Sequence, residues 1–173
     1  MRMKILVVAA LTLAAFGTLG FSCINEGFII SVNIEGITGT FEINQGNGSF
    51  SNCVTVDSKT YLDVGYDNLK NIRIYDVRVS TIGSYTGNVT GTASVNGVNI
   101  LQFSGPFAYF NTPRSILNDP NITRYNAGIL ALTQAIQAKS PVRLCGVGSA
   151  TPSPFPAGQS VKVEVLGQVD AEP

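Results

Sequence analysis

With 173 residues, of which 13% are charged and none is histidine, the chain is long enough for one domain with its own core. It lacks the usual general base, the Ser/His/Asp triad and nearly every zinc or copper site. Eleven Lys and Arg balance eleven Asp and Glu, and the cations are scattered singly, so no basic face is available to neutralise nucleic-acid phosphates. The 18 glycines and the abundance of Thr, Ser, Asn and β-branched residues suit strands joined by tight turns rather than a disordered chain.

Residues 1–22 read as an export signal. Arg2 and Lys4 are followed by the uncharged run "ILVVAALTLAAFGTLGF" and then by small residues and Cys23. The run also reaches the lower length of a membrane-spanning helix, so a retained N-terminal anchor is a second outcome; export is common to both. Removing 1–22 leaves 9 Lys and Arg against 11 Asp and Glu, a net charge of −2. Cleavage after Gly20 or Ser22 by a general signal peptidase leaves three thiols in an oxidising compartment, an odd number. If Cys23 is instead the acylated first residue, Cys53 and Cys145 remain as a disulfide pair.

Residues 2–26, with a basic start, an apolar run and Ser22 directly before Cys23, resemble bacterial lipoprotein leaders. The usual pattern places Leu three residues before the cysteine, whereas this chain has Gly20 there and Leu19 one place earlier. The resemblance implies lipidation at Cys23 and a membrane as partner.

Beyond the leader, residues 23–173 read as a single domain of short strands at 27–34, 37–43, 50–56, 70–80, 84–90, 91–95, 98–104, 142–147 and 160–166. The first of these alternates Phe28, Ile30, Val32 and Ile34 on one face, the side chains a strand needs to complete a neighbour's open sheet edge. Cys53 and Cys145 lie in apolar stretches, "FSNCVTV" and "PVRLCGV". In the chain-entropy model, a disulfide between them removes about 4.6 kcal/mol of unfolded-state freedom.

Asp57, Asp63 and Asp67, with Asn68 and loop carbonyls, offer the hard oxygen ligands Ca²⁺ prefers, although their spacing matches no EF-hand loop. Glu35, Glu42, Asp57, Asp63, Asp67 and Asp76 are the carboxylates a glycosidic-bond chemistry could draw on, and they show no paired pattern. In 70–80, Ile72 and Ile74 share one parity and Val77 and Val79 the other, which predicts a bulge near Tyr75 and Asp76. Asn96-Gly97 predicts a two-residue type I′ hairpin between Val95 and Val98.

"FSGPFAYF" gathers Phe103, Phe107, Tyr109 and Phe110, either as core at a strand end or as an exposed platform for sugars. Asp119 as cap, Pro120 at the first helical position and Ile122, Tyr125, Ile129 and Ile136 at helical spacing predict one amphipathic helix near 120–138, stopped by Lys139-Ser140-Pro141. "CGVGSAT" at 145–151 lacks the third glycine of a dinucleotide motif and is read as a turn. "ATPSPFPAG" at 150–158 is read as an extended connection. Val161, Val163 and Val165 alternate with Lys162 and Glu164 in a final strand. Asn47, Asn88 and Asn121 open N-x-[ST] sequons, about as many as chance supplies at this composition.

The stretch "YDNLKNIRIYDVRVSTIGSYTGNVTGTASVNGVNI" is similar to the middle strands of small exported bacterial lipoproteins with a β-sandwich fold and no assigned activity. That resemblance implies compartment and fold and carries no functional residues across. The expected fold is mainly β, an antiparallel β-sandwich of immunoglobulin-like or jelly-roll-like type with the one helix.

The expected role is that of a non-enzymatic, exported cell-envelope protein, a structural or interaction module anchored through Cys23, with a protein or glycan partner at the cell surface and no resident cofactor. The alternatives are a secreted pilus-like subunit that self-assembles by N-terminal strand donation and a carbohydrate-binding or glycoside-cleaving domain.

Overall fold

The computed structural model describes residues 30–34, 36–57 and 68–172. Residues 1–22, read above as an export signal, and Cys23 lie outside them. Among the described residues, ten strands form two antiparallel sheets that pack face to face as a sandwich, with one short helix.

The strands are β1 (Ile30–Ile34), β2 (Thr38–Glu42), β3 (Ser49–Val56), β4 (Asn68–Ile82), β5 (Asn88–Val95), β6 (Val98–Pro106), β7 (Arg114–Ser115), β8 (Ile122–Arg124), β9 (Val142–Thr151) and β10 (Ser160–Glu172). The first sheet runs β1-β10-β4-β7, with β2 also on β10, and the second runs β3-β9-β5-β6-β8. β1 and β2 share one edge of the long last strand: Ile30–Ile34 faces Ala171–Gly167 and Thr38–Glu42 faces Glu164–Ser160.

The alternation in β10 sorts as its pattern dictates. Val161, Val163 and Val165 are buried, and Lys162 and Glu164 lie outside, with Nζ 3.3 Å from Oε1. In β4 the register slips between Leu166, which faces Asp76, and Gly167, which faces Ile74. The extra residue is Tyr75, half exposed, so the bulge falls where the change of parity placed it. The Asn96-Gly97 turn closes Val95 onto Val98 with φ of 50 and 85, as a type I′ hairpin requires. One strand, Asn88–Val95, stands where two segments at 84–90 and 91–95 were expected.

One expected helix is present but starts later, and one expected turn is overturned, both for reasons of tertiary packing. The helix, α1, spans Asn126–Gln137 and not 120–138. Asp119 instead closes a turn, its Oδ1 accepting from the Asn121 N–H, and Ile122 joins β8 and is buried against β6. The Asp-Pro pair imitates a helix start, but burying Ile122 in the sheet prevails over that local signal. "CGVGSAT" is not a turn but the body of β9. Its glycines make room for rings: a Cβ on Gly146 would lie 2.5 Å from Phe41 Cδ2, and one on Gly148 would overlap the Thr90 carbonyl and the Phe50 ring.

Phe41, Phe103, Phe107 and Phe110 are among the largest fully buried side chains of the core, so the "FSGPFAYF" cluster is interior. It bends into a 3₁₀ turn at Phe107–Asn111, whose Phe107 carbonyl accepts the buried Thr81 hydroxyl at 2.9 Å. The Pro-rich connection is pinned by buried Phe155. Its N–H reaches the Gln45 carbonyl and its ring lies 3.9 Å from that of Tyr85, whose hydroxyl donates to the Pro152 carbonyl. Burial raises the Tyr85 pKa above its ordinary 10.0.

Candidate interaction site

Chain direction forces a seam on one side of the sandwich. β2 is an outer strand of the first sheet, β3 is the outer strand of the second, and the turn at 43–48 carries the chain between them. An open groove of about 890 Å³ lies in this seam, lined by Thr40 and Glu42 of β2, Asn44 and Gln45 of the turn, and Ser51 and Asn52 of β3, with Phe50 among its lining. Glu42 is the acidic group in that lining, is exposed, and has no cationic partner among the described residues.

Hydrogen bonding shows which way each edge points. The Ile43 N–H donates to the Gln159 carbonyl and the Val165 N–H to the Ile37 carbonyl, each at 3.0 Å. Because bonding alternates along an antiparallel ladder, Ile37, Gly39, Phe41 and Ile43 face β10, and Thr38, Thr40 and Glu42 direct their backbone N–H and C=O away from it.

β3 differs. Its Cys53 N–H donates to the Asn52 side-chain oxygen at 2.8 Å, and its Ser49 N–H to the Asn47 side-chain oxygen at 3.0 Å. The Ser49 carbonyl accepts from Asn44 N–H at 2.8 Å. Local side chains therefore occupy outward groups that a neighbouring strand would otherwise claim.

Cys53 and Cys145 form a disulfide between directly opposed residues of β3 and β9, with Cα atoms 4.0 Å apart. The apolar sequence around them suggests an interior position. The alternation instead buries Val142 and Leu144 and turns both cysteines to the outer face, partly buried. The bridge thus ties the edge strand β3 to its sheet from the solvent side. The rest of that outer face is hydroxyl-rich and uncharged at its centre. Thr90, Gln102 and Ser104 are exposed there, with shallow depressions of about 340 and 200 Å³ that meet at Ser104.

The other expected site residues are scattered. Cys23, Phe28, Glu35, Asp63 and Asp67 lie outside the described residues, and Asp57 is exposed just past β3. No group of three or more His, Cys, Asp or Glu able to hold a metal occurs among the described residues. Ile30, Val32 and Ile34 sit in β1 on the chain's own β10, with Ile34 fully buried, so donating this strand to a neighbour would require exchange.

Asp76 is buried, accepting from Arg78 Nε at 2.8 Å and Ser115 Oγ at 2.7 Å, which fastens β7 to β4. Tyr109 is half-buried beneath the Arg114 guanidinium, 4.0 Å from its ring centre, and its hydroxyl donates to Asp119. Asn47 is engaged in the turn, Asn88 is exposed at the start of β5, and Asn121 lies beside the larger depression.

Asp170 anchors β1. It accepts from Ser31 Oγ at 2.6 Å and Asn71 Nδ2 at 3.2 Å, with Arg73 at 3.8 Å. The Ser31 and then the Asn71 hydrogen bond, with the Arg73 charge, hold its carboxyl below its ordinary pKa of 3.8 against the opposing effect of burial.

The seam itself escaped sequence reading. Nothing local marks Thr38, Thr40 and Glu42 as an open edge, since that depends on where β10 and β3 lie. No protein-family model and no curated protein matches this chain.

Proposed function

We propose that the chain is an exported cell-envelope interaction module, held to a membrane through an acylated Cys23, with the β2–β3 seam as its contact region. The observation that carries the export reading is the Cys53–Cys145 disulfide on the solvent side of the second sheet. A bridge on the outer face of a sheet meets the cytosolic thiol pool if the chain stays inside, and disulfides persist mainly in oxidising compartments outside the cytoplasm. The basic, apolar, then small-residue leader ending at Cys23 supports the same compartment, and its similarity to lipoprotein leaders supports the anchor. The module reading draws on the open β2 edge and the missing histidine, which leaves the usual acid–base chemistry without its common agent.

Mass spectrometry of the mature N-terminus tests the anchor. A first residue of Cys23 carrying acyl chains is expected, and Cys23→Ser should release the protein from the membrane fraction. An unmodified start at Phe21 or Cys23 overturns lipidation. A cytosolic chain with its leader intact and Cys53 and Cys145 reduced overturns export altogether.

A further inference from the structure

A row of unpaired backbone groups at a sheet edge is a template for another strand, and the two walls of the seam are unequal as templates. On β3 the alternate outward amides of Ser49 and Cys53 are already bound by Asn47 and Asn52, which interrupts the row. On β2 the outward amides of Thr38, Thr40 and Glu42 have no acceptor among the described residues, and the groove lies directly against them.

We propose that β2 is the acceptor edge for an extended segment of another protein, which adds to the first sheet through the backbone of Thr38, Thr40 and Glu42 and places a lysine or arginine beside Glu42. This deepens the reading of the chain as an interaction module and rests on it. The five residues of β2 offer about 17 Å of pairing length, enough for a five- or six-residue strand. Backbone pairing supplies the attraction, and Glu42 supplies the selection, because it is an uncompensated charge at the rim of an otherwise neutral groove. The segment of this chain between Cys23 and β1 carries Glu26, an acid, so a foreign basic strand complements Glu42 better than a second copy does.

The test uses the mature protein with its disulfide intact and a six-residue, acetylated and amidated peptide that alternates valine with threonine around one central lysine. Nuclear magnetic resonance should show the amides of Thr38, Thr40 and Glu42 shifting and exchanging more slowly on titration, with those of Ser49 and Cys53 unchanged. Replacing the peptide's lysine by glutamate should weaken binding about two- to fivefold, the range of an exposed ion pair, and Glu42→Lys should reverse that order.

Methylating alternate peptide nitrogens should abolish binding. So should Thr40→Pro, which removes an outward N–H that the chain's own ladder does not use; if that variant fails to fold, the Glu42→Lys reversal still decides. The proposal is overturned by shifts confined to β3, by binding that survives N-methylation, or by unmoved β2 amides. Self-association through those amides without peptide assigns the edge to a second copy and overturns it too. None of these outcomes alters the mature N-terminus, so the failure of this site and the failure of the export reading are told apart.

Discussion

The two edge strands that border the seam are secured in opposite ways. β3 pairs along its full eight residues with β9, is bridged to it covalently at Cys53–Cys145, and has two of its outward amides, Ser49 and Cys53, occupied by its own asparagines. The β1–β2 edge is broken into two five-residue pieces, carries no bridge, and relies at its outer end on the polar cluster around Asp170. A sandwich protects its edges because unpaired strands recruit other chains. Here β3 is paired, bridged and partly capped while β2 is left uncapped, and that imbalance is what singles out β2 as the proposed contact surface.

The largest test of this contrast is to cut the bridge. Reduction, or Cys53→Ser with Cys145→Ser, should lower stability by about 4.6 kcal/mol in the chain-entropy model, with native relaxation pulling the measured loss into the range of about 2–5 kcal/mol. A chemical denaturation midpoint measured with and without reductant reads it. Hydrogen exchange should locate the earliest loss of protection in β3, making the two edges alike. A midpoint indifferent to reductant would mean that β3 is held by its ladder alone.

Much of this architecture was legible in the sequence wherever a local pattern and the tertiary fold agree. The valines of β10, the parity change at Tyr75 and the Asn96-Gly97 hairpin each encode their conformation within a few residues. Legibility fails where the reason for a residue lies in a strand distant in sequence. Gly146 and Gly148 look like turn residues until Phe41 arrives across the core and Phe50 from the neighbouring strand β3, and Asp119-Pro120 looks like a helix start until Ile122 finds β6. The pairing of Cys53 with Cys145 follows from counting cysteines. That the pair faces solvent does not, because only the strand register reveals it.

A second test separates the edges by acid. Asp170 sits below its ordinary pKa of 3.8 in the folded protein, chiefly through the Ser31 hydrogen bond. Its ionised form therefore favours the native state above that value, and the contribution fades as pH falls through the lowered folded pKa. Amide exchange of Ile30–Ile34 should accelerate relative to β3 as pH drops below about 4, once intrinsic rates are divided out. Asp170→Asn should bring that acceleration to neutral pH and flatten its pH dependence, with an effect on global stability well below that of the disulfide. If β1 and β3 loosen together in acid, the Asp170 cluster is not the fastening of this edge.

The smallest effect is the most discriminating. Asn52 is exposed and its side chain touches the fold through one visible bond, to the Cys53 amide, so Asn52→Ala should cost only about 0.5–1 kcal/mol. Its consequence for recognition is larger than that figure. With the side-chain acceptor gone, the Cys53 amide joins those of Ser51 and Thr55 as an open row, and β3 becomes a second template beside β2. The lysine peptide should then shift β3 amides as well as β2 amides in the variant, whereas in the parent it touches β2 alone. Should the variant bind as the parent does, the selectivity of the seam comes from Glu42 and the groove shape, and the asparagine caps serve only the fold.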